Sequence, residues 1–229
     1  MKHIPIVENV LKLNDEVAGQ NRRMLAEHGV FCIDLIGAPG CGKTALLEAT
    51  LRELNESMNA GVIVGDLTTT RDAERLGNYS DQVVQINTGR GCHLEAHQVQ
   101  QAFDQLDLAG LDLLVIENVG NLICPVGFDL GQHLKVGMFS VSEGDDKPAK
   151  HPYLVHASSL VLLNKMDLLP FMDFDMTVFE SDVKRLNADA DVMRVSVKDN
   201  QLKGWLDWLG QHVQAAKSAS IEQKGSLNR

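Results

Sequence analysis

Aromatic side chains, surplus positive charge and long apolar runs are all scarce in this 229-residue sequence. Phe, Trp and Tyr together make up only 5% of the residues, which argues against a surface that stacks the bases of single-stranded nucleic acid. The formal net charge of −10 argues against a broad footprint on a phosphate backbone, although it leaves room for one bound nucleotide. We therefore expect no nucleic-acid partner.

The sequence also lacks the features of a membrane or secreted protein. No apolar run reaches the roughly 18 residues that a membrane helix requires, and the N-terminal segment has early acids and no signal-peptide core. We expect a cytoplasmic protein with no membrane partner. The chain has four cysteines, which in a reducing compartment are more often free thiols, metal ligands or redox sites than disulfides.

Short apolar runs rich in β-branched residues alternate with helical stretches along the chain. This alternation predicts an α/β fold with a mostly parallel sheet that helices cover on both faces. A helical apolar period over about residues 5–28 predicts an amphipathic N-terminal helix. We expect one domain over residues 1–213 and a disordered, polar tail over 214–229. The seven strands are expected at 30–36, 61–64, 82–86, 111–116, 136–141, 160–163 and 192–197.

Residues 37–44, GAPGCGKT, match the phosphate-binding pattern G-x-x-x-x-G-K-[ST] between a predicted strand and a predicted helix. Glycines let the backbone wrap the phosphates, and the helix N-terminus favours their negative charge. Lys43 is expected to bind the β- and γ-phosphates, and the Thr44 hydroxyl is expected to bind Mg²⁺. The motif predicts a P-loop nucleotide hydrolase. The other residues of the loop expected to contact the nucleotide are Gly37, Gly40, Cys41, Gly42 and Ala45.

Two acidic residues follow predicted strands and compete for a second Mg²⁺ position. They are Asp66 and Glu117, and either could instead be an ordinary polar strand end. Both leave an apolar strand toward the expected phosphate side, so we expect one or both to serve the metal or the attacking water. With Lys43 they form the predicted catalytic set. Gly120 lies just beyond Glu117 and could move to meet the γ-phosphate.

An N-K-x-D motif after the run at 160–163 indicates the base. Its members are Asn164, Lys165 and Asp167. A carboxylate can accept two hydrogen bonds from the guanine edge, which adenine cannot supply, and leaving a buried carboxylate unpaired is costly. The motif therefore favours GTP over ATP. Ser196 and Val197, which precede Lys198, are an imperfect match to the Ser-Ala-Lys motif that contacts the base in many GTPases.

A thiol and an imidazole stand side by side at Cys92 and His93, and another thiol, Cys124, lies seven residues beyond Glu117. Thiolate and imidazole ligands suit Zn²⁺ or Ni²⁺. A closed zinc site takes four ligands, and one chain offers three obvious ones here. The partner's thiols in a twofold dimer could complete the site. His97 could join if that stretch is helical. The alternative is that the two cysteines are unrelated small buried residues.

Taken together, these residues resemble the HypB family, the SIMIBI-class P-loop GTPases that incorporate nickel into hydrogenases. The resemblance covers nearly the whole chain to about residue 209. It implies GTP hydrolysis, a GTP-dependent homodimer, and delivery of nickel to the large subunit of [NiFe] hydrogenase together with other maturation proteins. It rests on GAPGCGKT, TGRGCHLEAH, IENVGNLICPVGFDLG, SVSEGDDKP and NKMDLLP, in the family's order.

The resemblance assigns roles to the residues already singled out. The N-terminus lacks the cysteine-rich motif and histidine-rich run of some members, which argues against a nickel store there. The segment after Ser196 departs from the family's small-residue pattern. By resemblance, the nickel or zinc ligands are Cys92, His93 and Cys124, the Mg²⁺ and switch residues are Thr44, Asp66 and Glu117, and the guanine motif is Asn164, Lys165 and Asp167.

Three other functions fit parts of the sequence. A chaperone for another nickel enzyme, such as the urease GTPase UreG, has a similar P-loop and N-K-x-D but pairs its Cys-Pro with a following His. Here Val126 follows Cys124 and Pro125. An ATP-dependent small-molecule kinase needs neither Asp167 nor the thiols. A metal-storing protein would not need the P-loop.

Overall fold

Seven strands form one sheet in the computed structural model, which describes residues 6–54 and 57–227. All the pairings between strands in this described part of the chain are parallel, and each predicted apolar run overlaps a strand, so the predicted α/β fold is confirmed. The run predicted at 192–197 is a strand only to residue 194. The strands are β1 (Phe31–Gly37), β2 (Ala60–Asp66), β3 (Val83–Asn87), β4 (Leu113–Glu117), β5 (Leu134–Ser140), β6 (Leu160–Asn164) and β7 (Asp191–Arg194).

The sheet order is β3-β2-β4-β1-β5-β6-β7. The connection from β1 runs to β2 on one side of it, and the connection from β4 crosses to β5 on the other side, so the order reverses between β4 and β1. Every residue of β1 is buried, as expected for a central parallel strand covered on both faces. In such sheets ligands bind in the crevice at the carboxyl ends of the strands, next to the reversal point. The phosphate-binding loop leaves β1 at that end.

Helices pack on both faces of the sheet, as predicted. On one face Leu47 and Trp205 bring their helices onto the core, and on the other Leu25, Val99 and Phe179 do so. The helices are α1 (Ile6–His28), α2 (Lys43–Leu54), α3 (Arg71–Leu76), α4 (Ala96–Phe103), α5 (Lys147–Lys150), α6 (Pro152–Ala157), α7 (Met176–Leu186) and α8 (Lys203–Leu227).

The N-terminal helix has one buried face, as its period predicts. Asn14, Ala18, Asn21 and Leu25 are buried at helical spacing. The two asparagines bind backbone: Asn14 Oδ1 accepts from the amide of residue 96 at 2.9 Å, and Asn21 Nδ2 donates to the carbonyl of residue 130 at 3.0 Å. The helix is thereby fixed to α4 and to the loop before β5. The first residue of the predicted range, residue 5, lies outside the described residues.

The prediction of a disordered tail from residue 214 is wrong up to Leu227, where α8 ends. The polar composition hid a face that packs on the body of the protein. Val213 and Ser220 are buried on that face, and Lys217 Nζ binds Asp112 Oδ1 at 2.6 Å. These tertiary contacts stabilise the helix. Helix propensity, which describes an isolated peptide, does not include them. Residues 228 and 229 lie outside the described part.

Candidate functional site

The phosphate-binding loop follows β1 and ends at the first turn of α2. Gly42 has a φ of 104°, and a Cβ there would stand 2.5 Å from Asn164 Nδ2, so only glycine fits. Asn164 Nδ2 also donates to the Cys41 carbonyl at 3.0 Å. Cys41 itself is buried, which raises the pKa of its thiol to about 11 and leaves it inert. Gly40 and Gly42 of the loop line the adjoining pocket.

Lys43, Thr44 and Glu117 meet at the floor of this loop. Lys43 Nζ donates to the Gly37 carbonyl at 3.2 Å, and Thr44 Oγ1 donates to Glu117 Oε1 at 2.8 Å. Burial raises the pKa of Glu117 to about 7, although the Lys43 charge and the Thr44 hydrogen bond act to lower it. Glu117 Oε2 is buried and has no hydrogen-bond partner within the described residues. A buried oxygen of this kind fits a ligand for a hard cation.

Asp66, at the end of β2, lines the same pocket as Glu117. Its Oδ2 accepts from Thr69 Oγ1 at 2.7 Å and its Oδ1 from the Thr68 amide at 3.3 Å. Slight burial raises the pKa of Asp66, but the hydrogen bonds from Thr69 and the neighbouring amides outweigh it, so the net shift is downward. Asp66 therefore stays charged where Glu117 can hold a proton. The two acids predicted to compete for one role both face the pocket.

The pocket has a volume of about 450 Å³ and also contains one residue for which no role was predicted, Arg75, together with Gly120, for which one was. Arg75 lines it and pairs with Glu48 and Asp72. Gly120 also lines it, and a Cβ there would lie 2.9 Å from Pro39 Cγ, so the segment after β4 presses against the phosphate-binding loop. The pocket's remaining lining residues include Gly40, Ala45, Gly65, Leu67, Asn118 and Val119.

The N-K-x-D motif lies at the end of β6, beside the phosphate-binding loop. Lys165 adopts a left-handed conformation with a φ of 60°, and its Nζ donates to the Gly40 carbonyl at 2.6 Å. With Asn164 bound to Cys41, the first two members of the motif brace the loop. Asn164 Oδ1 is buried and lacks a hydrogen-bond partner in the described part of the chain.

Asp167 and Ser196 come together although 29 residues separate them. Ser196 Oγ donates to Asp167 Oδ1 at 3.1 Å, and Lys198 Nζ lies 3.7 Å from Asp167 Oδ2. Val197 is half-buried beside them and packs against the core. The imperfect Ser-Val-Lys motif thus supplies the side chains that orient the carboxylate, and the contact of its Ser and Lys does not depend on the middle residue.

The two thiols predicted to form a cluster are neighbours. A hydrogen bond with Cys124 raises the pKa of the Cys92 thiol, and Cys92 Sγ lies 3.6 Å from His93 Nδ1. Cys92 is exposed and Cys124 is half-buried, whereas Cys32 and Cys41 are buried. The alternative of two unrelated buried cysteines is therefore wrong.

His93 is held by its ring. It stacks on Phe128 with 3.8 Å between ring centroids, and its Nε2 lies 3.9 Å from Glu95 Oε1. Burial lowers the pKa of His93, against the opposing charge of Glu95, and a neutral imidazole is the form that binds metals. His97 is exposed and pairs with Glu95. Across residues 6–54 and 57–227, no three His, Cys, Asp or Glu side chains are grouped to hold a metal ion. The donor chemistry fits Ni²⁺ or Zn²⁺, but a single chain in this conformation does not complete the site.

No helix in the described ranges is both long and apolar enough to span a membrane.

A parallel sheet with a phosphate-binding loop at its order reversal, and two strand-end acids in one pocket, define a P-loop nucleotide-binding protein. The family model of the CobW/HypB/UreG nucleotide-binding domain matches residues 31–194. The hydrogenase maturation factor HypB of Azotobacter chroococcum is 45% identical over 96% of this chain and 72% of its own length. The probable HypB of Methanocaldococcus jannaschii is 43% identical over 85% of this chain and 88% of its own. The chain belongs to the hydrogenase maturation factor HypB family.

Solved structures agree with this assignment. HypB from Helicobacter pylori in complex with nickel has a TM-score of 0.85 at 33% identity, covering 88% of this chain and 95% of that one. HypB from Archaeoglobus fulgidus has a TM-score of 0.83 at 36% identity, covering 89% and 100%. FtsY from Mycoplasma mycoides, at 15% identity and a TM-score of 0.52, shares the fold alone and covers 83% of this chain and 67% of that one.

Proposed function

We propose that the protein is a GTP-hydrolysing metallochaperone that binds nickel or zinc and assists nickel insertion into [NiFe] hydrogenase. One observation carries the proposal: Glu117, in the phosphate pocket, and Cys124, in the thiol pair, lie seven residues apart on one segment. Gly120, between them, presses on the phosphate-binding loop. A change in the pocket would therefore act directly on the geometry of the thiols.

The base site favours GTP. Asp167 lies beside Ser196 and is mostly buried, with 12% of its side chain exposed. A carboxylate held in this way can accept from the N1–H and the amino group of guanine, whereas adenine would leave it unpaired at considerable cost. In this proposal Ser196 and Val197 adjoin the base, while Asn164 and Lys165 support the loop.

The hydrolysis proposal assigns different tasks to three charged side chains. The Lys43 ammonium would offset the negative charge that develops on the transferring phosphoryl group. Asp66 stays ionised, whereas Glu117 has a pKa near neutrality, which suits a group that orients or deprotonates the attacking water. Mg²⁺, whose oxygen ligands from the chain would be Thr44, Asp66 and Glu117, would neutralise charge between the phosphates.

The metal proposal requires a second copy of the chain. Each chain offers Cys92, His93 and Cys124, while a closed zinc-type site takes four ligands. A twofold dimer would bring both sets together. We propose that GTP favours this dimer and that the cargo passes to the hydrogenase large subunit with the help of other maturation proteins.

One relative favours an additional client. The hydrogenase/urease maturation factor HypB of Helicobacter pylori is 37% identical over 86% of this chain and 83% of its own length. Urease is therefore the second candidate client. A small-molecule kinase using ATP is opposed by the buried Asp167, and simple metal storage would leave the pocket without a use.

Complementation of a hydrogenase-producing strain that lacks its own HypB tests the proposal. The wild-type chain should restore hydrogenase activity, and His93→Ala should not. His97→Ala is the matched control, because His97 pairs with the same Glu95 but is exposed and does not touch the thiols. Restoration of urease activity without hydrogenase activity would contradict hydrogenase as the client enzyme. Equal restoration of hydrogenase activity by both variants would contradict the role of His93.

A further inference from the structure

A charged group is fully buried beneath the two loops that carry the thiols. Asp34, in the central strand, has no exposed surface. Its Oδ1 accepts from Asn118 Nδ2 at 3.0 Å, and its Oδ2 lies 3.4 Å from Lys135 Nζ on the adjacent strand β5. Burial raises the pKa of Asp34, and the Lys135 charge and the two hydrogen bonds act against that rise. We call Asp34, Asn118 and Lys135 the buried triad. None of the three has a role in the proposed chemistry.

Lys135 reaches from the triad to the Cys124 loop. Its Nζ donates to the Phe128 carbonyl at 2.7 Å and to the Pro125 carbonyl at 3.3 Å. Together with Asp34, these acceptors can use all three hydrogens of the ammonium group. Pro125 directly follows Cys124, and the Phe128 ring is the one that stacks on His93. A single, largely buried ammonium group thus fixes the backbone beside one thiol and beneath the imidazole.

Asn118 reaches from the triad to the other two parts of the site. It follows Glu117 at the end of β4 and lines the phosphate pocket. Its Oδ1 accepts from the Leu94 amide at 3.4 Å and from the Val119 amide at 3.0 Å. Leu94 directly follows His93. One amide side chain therefore contacts the segment that faces the phosphates and the segment that carries Cys92 and His93.

A stabilising role alone explains this arrangement poorly. A buried ion pair adds little net stability, because desolvation offsets the attraction between its charges. Breaking one of its contacts, however, leaves a buried charge or amide without a partner, which is costly. If Asn118 is displaced, moving Asp34 and Lys135 with it therefore costs less free energy than breaking the hydrogen bonds among the three side chains. The triad thus links the segment after β4 to the two loops that carry the thiols.

We propose that the buried triad is a positioning device that transmits the state of the nucleotide pocket to Cys92, His93 and Cys124. The inference rests on the proposed function, because it presupposes that nucleotide and metal sites are coupled. When the segment after Glu117 moves toward a γ-phosphate, Asn118 moves with it. This displacement of Asn118 is passed to the Asp34 carboxylate and from there to Lys135. Lys135 passes it to the Pro125 and Phe128 carbonyls.

The test compares Lys135→Met with Lys217→Met in the full chain. Lys217 pairs with Asp112 ahead of β4, at the end of the strand opposite Glu117, so it is a matched loss of a charged pair. The readouts are Ni²⁺ affinity and the rate of Cys92 alkylation, located by mass spectrometry. The alkylation rate is measured below the concentration at which dimers form and the nickel affinity above it, each with GDP and with a non-hydrolysable GTP analogue.

Wild type and Lys217→Met should show clear differences between the two nucleotides. In Lys135→Met the ratio of the two alkylation rates, and of the two nickel affinities, should fall to one. GTP affinity should stay within about twofold of wild type, as for a site without direct contact to the ligand. Retention of the wild-type ratios in folded Lys135→Met would overturn the proposal. So would a wild-type chain whose Cys92 alkylates equally fast with either nucleotide.

A second variant covers the case in which Lys135→Met does not fold. Asp34→Asn with Lys135→Gln removes both charges together and leaves no buried charge unpaired. It should fold and should also lose the nucleotide dependence, and retention of that dependence would again overturn the proposal. Failure of the proposed function would look different. In that case wild type would bind no nickel, while its Cys92 alkylation rate would still depend on the nucleotide and would lose that dependence in the variants.

Discussion

The nucleotide pocket and the thiol site are built to different degrees of completion. In the pocket the phosphate-binding loop is braced by Asn164 and Lys165, and Thr44 already binds Glu117. At the thiol site Cys92 is exposed, and its contacts are a neighbouring thiol and one ring nitrogen 3.6 Å away. The pocket is preorganised within one chain, whereas the thiol site has its donors in place but not its coordination shell.

This difference indicates where regulation can act. A preorganised phosphate-binding loop binds its ligand with little reordering of its own, so little of the binding energy is lost. An incomplete site is completed by something else, and its affinity then depends on that event. Two connections between the pocket and the thiol site run from Glu117 through Gly120 to Cys124 and through Asn118 to the buried triad.

Lys43→Ala should remove the catalytic capacity of the pocket. We expect GTP hydrolysis to fall by about two to three orders of magnitude, the usual cost of losing a group that stabilises transition-state charge. Single-turnover hydrolysis with saturating GTP measures it. Lys150→Ala, at an exposed lysine of α5, is the control and should leave the rate unchanged. Full activity in Lys43→Ala would contradict the assignment of the loop.

Asp167→Asn should redirect base selection. The amide cannot accept both guanine hydrogens, so GTP binding should weaken by about 2–4 kcal/mol and xanthosine triphosphate binding should improve. Calorimetry with GTP, ATP and xanthosine triphosphate measures both effects. Because Lys198 contacts the same carboxylate from an exposed position, Lys198→Ala should change GTP affinity far less. Unchanged GTP affinity in Asp167→Asn would remove this residue from the base site.

Glu117 should make the ligand-free protein sensitive to pH. Its pKa in the folded chain is about 7, above the ordinary value of 4.5, so its contribution to stability is present below about pH 4.5 and is lost as the pH rises through 7. Without nucleotide and Mg²⁺, unfolding free energies of wild type and Glu117→Gln should diverge by about 2–3 kcal/mol between pH 5 and 8, with wild type losing stability. Parallel curves for the two proteins would show that burial does not shift this carboxyl.

The sequence predicted the fold well because its signals are local and redundant. Each strand is a short apolar run, and the phosphate-binding loop sits between a strand and a helix where the chemistry requires it. The tail was mispredicted because what fixes it, Lys217 on Asp112 and the burial of Ser220, depends on distant residues. Composition alone cannot show such contacts.

The site was predicted in its parts but not in its connections. Asp66, Glu117, Cys92 and Cys124 were singled out by motif, and the structure brings each pair together. No role was predicted for Arg75 or for the buried triad. Asp34 in an otherwise apolar strand was the one visible signal, since a lone carboxylate in a buried strand requires a partner. That the partner is Lys135, 101 residues away, is settled by the register of β1 with β5.

Nickel binding measured against nucleotide state tests the account most directly. Ni²⁺ is titrated into the chain with GDP and with a non-hydrolysable GTP analogue, while native mass spectrometry counts chains and metal ions. We expect the analogue to favour a dimer with one shared metal site of higher affinity, and Cys92→Ala to abolish that site while leaving GTP binding intact. By linkage, the metal should raise affinity for the analogue by the same factor. Equal nickel affinity in both nucleotide states, with a monomer in each, would contradict the account.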